Sequence, residues 1–65
     1  MYPLEFIRGL LGAKICVMLR DGTEYKGVLR MFDEHINLIM SNVADAVDKR
    51  VLFLRSENVL TISEG

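Results

Sequence analysis

After Gly12 the apolar residues stop recurring at helical spacing and begin to alternate. Ile15, Val17 and Leu19 fall at every second position among Lys14, Cys16, Met18 and Arg20, the period that sends one set of side chains to one face of a β-strand. Four further strand-like runs follow: Thr23 to Phe32, Ile36 to Ser41, Val51 to Leu54 and Val59 to Ile62. Asp21-Gly22 joins the first two as a tight hairpin turn, because both residues tolerate the positive φ such turns need. Gly27, midway along the long second run, marks a sharp bend or the close approach of another backbone. Residues 42–49 form a polar connection, and Arg55-Ser56-Glu57-Asn58 a short turn. Ahead of the strands, Leu4, Ile7, Leu10 and Leu11 make one apolar stripe of a helix running from Pro3 to Gly12. Pro3 suits its first turn, Glu5 its dipole, and Gly12 a left-handed C-cap. One short helix followed by five antiparallel strands implies a mainly β chain, a single domain over residues 1–65 whose strongly bent sheet closes into a small barrel.

A 65-residue domain buries only roughly 60% of the surface its unfolded chain exposes and often needs outside support. Cys16 is the only cysteine, which excludes an internal disulfide and fits a reducing compartment. One His and one Cys make no metal-ligand set, so neither a metal nor another cofactor is expected. Self-association remains, and a hydrophobic fraction of 51% in so small a chain points the same way. No run approaches a membrane span of about 20 residues and no signal peptide is visible, so the chain reads as soluble and intracellular. With no nucleophile paired to a base, the sequence offers no catalytic constellation and reads as a non-enzyme.

The segment Asp33-Glu34-His35-Ile36-Asn37 stands out between two apolar runs. If it stays extended, Asp33, His35 and Asn37 share a face: an acceptor, a flat ring and a two-way amide suited to a planar, hydrogen-bonding ligand such as a nucleobase. The formal net charge of −1 argues against binding driven by phosphates, so recognition of RNA would have to run through bases. Plainer readings stand beside this one. His35 alone is an ordinary polar loop residue, Asn37 can cap backbone groups in a turn, and Arg55 can be solvated or paired with Glu57. Tyr25 and Phe32 read as packing residues, with Phe32 also near enough to the loop to offer a second aromatic surface. Cys16 reads as a small buried apolar residue, and Lys49-Arg50 as a solvated loop end.

The pattern Ile15-x-Val17-x-Leu19-x-x-Gly22-x-x-Tyr25-x-Gly27-x-Leu29, continuing through Asp33-x-x-Ile36-Asn37-Leu38-x-Met40, resembles the first motif of the Sm and Sm-like (LSm) family, archaeal members included. Leu54-Arg55-Ser56-Glu57-Asn58-Val59-x-x-Ile62 resembles the second, and the fourth loop between the motifs is short. Tyr25-Lys26-Gly27 and Asn58-Val59-Leu60 resemble the SmF and LSm6 branch. The family usually carries glycine where this chain has Ser56; a left-handed backbone there would cost serine about 1 kcal/mol.

The resemblance implies an SH3-like (Sm) barrel and a ring, commonly of seven subunits, built by pairing strand 4 of one subunit with strand 5 of the next. The apolar edges Val51–Leu54 and Val59–Thr61 give a physical reason, since a lone domain would leave them unpaired. It also implies an RNA site in the loop between strands 2 and 3, completed by Arg55. Asn37 would read the edge of uracil with Asp33 bracing its amide, while His35 and Arg55 stack on opposite faces of the base, at about 1–3 kcal/mol per base. The expected function is a ring subunit that binds single-stranded uridine-rich RNA at the pore, a scaffold or chaperone in ribonucleoprotein assembly, mRNA splicing or decay. The alternative is a structural subunit of a mixed ring with little RNA binding of its own. The compartment would be cytoplasmic in an archaeon, and nucleus and cytoplasm in a eukaryote.

Overall fold

The computed structural model describes residues 2–41, 43 and 51–65. A short helix α1 (Leu4–Arg8) precedes five strands: β1 (Lys14–Leu19), β2 (Glu24–Phe32), β3 (Leu38–Ser41), β4 (Leu52–Leu54) and β5 (Val59–Glu64). They form one antiparallel sheet in the order β4-β3-β2-β1-β5. The two edges are therefore β4 and β5, as the apolar runs suggested. Register shifts fall between Met18 and Leu19 on β1 and between Leu29 and Met31 on β2, and such irregularities help a sheet curl.

The helix is shorter than its apolar spacing predicts. Regular α-structure ends at Arg8, Gly9 is its C-cap, and the chain continues in tighter turns in which Leu10, Leu11 and Ala13 donate to carbonyls three residues back. Glycine is a poor helix former, and once the turns tighten after Arg8 Leu11 no longer follows the stripe begun by Leu4 and Ile7. Ile7 and Leu10 enter the core, whereas Leu4 and Leu11 stay exposed. Gly12 does take a left-handed conformation (φ 78°), but four residues beyond the helix, where its N–H bonds the Leu29 carbonyl.

Alternation holds best where both neighbours of a strand are present. Ile15 and Val17 of β1, Leu29 of β2, and Leu38 and Met40 of β3 are wholly buried, each contributing about 1.5–3 kcal/mol of burial. Tyr25 and Phe32 pack against this core, as expected of them. Cys16 departs from expectation. It lies between Ile15 and Val17 and so points outward, half-buried, where desolvation and the neighbouring Glu24 raise its thiol pKa. Gly27 is a close-approach glycine: an added Cβ would sit 2.7 Å from the Ser41 carbonyl oxygen and 2.8 Å from Val43 Cγ2. Most of the polar connection, and the loop end Lys49-Arg50, lie outside the described residues.

Candidate nucleic-acid interface

Residues 33–37 form a turn between β2 and β3, not an extension of either strand. The cause is Ile36, whose φ of 64° makes it the one non-glycine residue with a left-handed backbone among the described residues. That conformation is rare for a β-branched side chain. Here it turns the isoleucine inward, 8% exposed, into the core cluster. A strand-like common face for Asp33, His35 and Asn37 is thereby ruled out.

Asp33 instead organises the turn from within. Its Oδ1 accepts the backbone N–H of His35 (2.9 Å) and of Asn37 (3.0 Å), and its Oδ2 accepts Asn37 Nδ2 (2.8 Å). The bonds from Asn37, side chain first and then backbone, hold the Asp33 carboxyl below the usual carboxylate pKa. Asn37 reaches further: its Oδ1 accepts the backbone N–H of Ser56 at 2.7 Å. One amide thus ties the β2–β3 turn to the β4–β5 turn, 19 residues away in sequence. The capping role considered for Asn37 is present. One N–H and one lone pair of its amide remain beyond these two bonds.

Ser56 opens a single 3-10 turn, Ser56–Asn58, and is not left-handed, so the backbone penalty expected of serine does not arise. Its role is that of an amide donor to Asn37. Arg55 precedes the turn in extended conformation, with its Nε 3.4 Å from Glu57 Oε1, the pairing that the sequence offered as one option. His35 Nε2 lies 3.6 Å from Glu34 Oε1. Both side chains are largely in solvent, 73% exposed for His35 and 69% for Arg55, so neither pair is held strongly.

The structure joins Asp33, Asn37 and Ser56 in one hydrogen-bonded group and leaves His35 and Arg55 as exposed projections from its two turns. His35 also lines an open cleft of about 310 Å³ with Tyr2, Arg20, Ser56, Glu57 and the β5 residues Val59, Leu60 and Ile62. Neither Asn37 nor Arg55 is among its lining residues. Arg20 was not singled out in the sequence. Its backbone N–H bonds the Asn58 carbonyl and its Nε the Glu57 carbonyl at 2.9 Å, bracing the 55–58 turn. An arginine ending a strand beside Asp-Gly carries no signal of that task. Tyr2 was missed for the same reason. Its hydroxyl accepts the Ile62 N–H across 60 residues of sequence.

An exposed imidazole beside an amide with spare donor and acceptor capacity can stack on a planar base and hydrogen-bond its edge. Comparisons with known proteins bear on that chemistry. Residues 5–64 match the profile of the family described as the LSM domain. The U6 snRNA-associated Sm-like protein LSm6 of Lodderomyces elongisporus is 37% identical, over 97% of this chain and 86% of that protein. The small nuclear ribonucleoprotein F of Schizosaccharomyces pombe is 35% identical, over 97% and 88% respectively. Among solved structures, a heptameric archaeal Sm protein superposes with a TM-score of 0.82 at 33% identity, covering 94% of this chain and 97% of that one. The Pyrococcus abyssii Sm protein, solved in complex with a uridine heptamer, gives 0.83 at 31% identity with full coverage of both chains.

Proposed function

The chain belongs to the LSM-domain family, and from that membership we propose that it is an RNA-binding subunit of an Sm-like ring. It binds single-stranded uridine-rich RNA at the pore and serves as a scaffold or chaperone in ribonucleoprotein assembly, splicing or decay. The observation that carries the site is the 2.7 Å bond from Ser56 N–H to Asn37 Oδ1, which fixes the two turns to each other. In this reading His35 and Arg55 stack on the base, Asn37 uses its spare amide capacity on the uracil edge, and Asp33 orients Asn37. Repetition around a ring raises a weak single contact to useful avidity. No reaction is assigned to the chain itself. The relatives named for U6 snRNA and for the small nuclear ribonucleoprotein point to nuclear work in a eukaryote; an archaeal ring would work in the cytoplasm.

Ring closure rests on the two edge strands. β4 and β5 end the sheet, and beside them Phe53 is 57% and Leu60 52% exposed. A neighbour pairing β4 with β5 would satisfy both edges and cover apolar surface that a lone subunit leaves in water. Partners are further copies of this chain or other Sm and LSm subunits.

Binding of labelled oligo-U, oligo-A and oligo-C by the assembled protein tests the site. Oligo-U is expected to win, with a shallow salt dependence. His35→Ala should weaken it by about 1–3 kcal/mol per stacked base without lowering Tm, since His35 makes only exposed contacts. Equal binding of the three homopolymers would refute base reading. One observation favours the structural-subunit alternative: His35 and Arg55 each lie beside an acid of their own turn, Glu34 and Glu57. A ring that assembles but ignores oligo-U would select that alternative.

A further inference from the structure

β5 is an edge strand, yet one of its outward groups is already taken. In the β1–β5 ladder Val17 faces Ile62, but the Ile62 N–H is bonded to the Tyr2 hydroxyl at 2.9 Å. That N–H therefore points away from β1, toward the side where another strand would add. The phenol is seated there firmly. Tyr2 packs against the core cluster and its ring stacks on Phe6 of α1, with centroids 5.3 Å apart and planes 17° from parallel. It also walls the cleft that runs along Val59, Leu60 and Ile62.

We infer that Tyr2 is a latch on the assembly edge: in the free subunit its hydroxyl occupies the Ile62 N–H, and a neighbour's β4 must displace it to pair along β5. The occupant is a second Sm-like subunit, and the inference rests on the ring reading above. An uncovered edge strand is prone to pair indiscriminately, and native sheets block such edges with side chains or covering segments. A phenol hydrogen bond suits a reversible block. It satisfies an N–H that would otherwise sit unpaired beside the almost fully buried Ile62 side chain, and it gives way to a strand that makes several such bonds at once. The latch sets a threshold, so that isolated subunits stay apart until their concentration, or a better-matched neighbour, favours full strand pairing.

Tyr2→Phe separates the hydroxyl from the ring, because phenylalanine keeps the stack on Phe6. The full chain and this variant are diluted in parallel and followed by native mass spectrometry. The variant is expected to reach half-assembly at a concentration lower by about threefold or more, the worth of one net hydrogen bond. In the dissociated samples, hydrogen exchange of the Ile62 amide should be several-fold faster in the variant. Equal or higher half-assembly concentration in the variant would overturn the latch while leaving the ring intact. Unchanged Ile62 exchange would overturn it as well. Failure of both chains to assemble at any concentration would instead refute the ring reading, and the latch would fall with it.

Discussion

The two turns at residues 20–23 and 33–37 use the same parts and reach different ends. In each, an aspartate carboxylate accepts a backbone N–H two residues on: Thr23 for Asp21 and His35 for Asp33. In each, the accepted bonds hold that carboxyl below its ordinary pKa. In each, one residue is left-handed. The hairpin gives that task to Gly22 (φ 91°), with open space where a side chain would be. The second turn gives it to Ile36 (φ 64°), a residue that resists it. Strain of this kind costs of order 1–3 kcal/mol and persists only where surrounding contacts over-determine it. Those contacts are visible: burial of the isoleucine, and bonds to Asp33 from both the backbone and the side chain of Asn37 and from the His35 N–H, where the bonds to Asp21 come from Thr23 alone among the described residues. The hairpin reverses the chain and, through Arg20, braces the 55–58 turn. The second turn anchors itself in the core, leaves His35 in solvent and ties the half-buried Asn37 to Ser56 of the other turn.

The comparison can be pressed hardest at Asn37. Asn37→Ala leaves the part-buried Ser56 N–H without its acceptor and should destabilise the fold by about 1–3 kcal/mol, seen as a lower midpoint in urea, together with weaker oligo-U binding. No change in midpoint would mean that the two turns hold their places independently. Gly22→Ala should cost about 1 kcal/mol, since the position is left-handed but uncrowded, and should leave oligo-U affinity alone. A loss of affinity would show that the backbone at Gly22 also sets the position of the 55–58 turn. The smallest effect is expected from acid. A carboxyl whose folded pKa is depressed contributes stability that is fully present above its unfolded value of roughly 3.9 and is lost as pH falls through the lower folded value. Both turns should therefore loosen below about pH 4, and Asp33→Asn and Asp21→Asn should each remove part of that acid sensitivity. A pH–stability curve unaltered by either change would exclude this contribution.

Much of this was legible in the chain because it follows from local rules. The five strands, the Asp21-Gly22 reversal and the crowding at Gly27 come from a period of two interrupted by residues with special backbone freedom. The exposed edges follow from apolar runs that 65 residues cannot cover. The candidate loop was found as polar residues where apolar ones were due. Its place in the loop between strands 2 and 3 was legible from the motif, but its backbone was not, because nothing in the letters Ile36 announces a left-handed residue. The helix was overextended because Leu10 and Leu11 continue the stripe, and only the tightened turns after Arg8 take Leu11 off it.

By itself, the sequence determined the element order, the inward face of β1 and the candidate RNA residues Asp33, His35, Asn37 and Arg55, since these rest on period, turn chemistry and motif. Tertiary structure alone decided how those residues are used. Asn37 meets Ser56 across 19 residues, Arg20 meets Glu57 across 37 and Tyr2 meets Ile62 across 60. Each of these is a hydrogen bond between a side chain and a distant backbone group. Any polar side chain can make such a bond, so its partner is fixed only when the sheet curls and brings the two turns and the edge of β5 together.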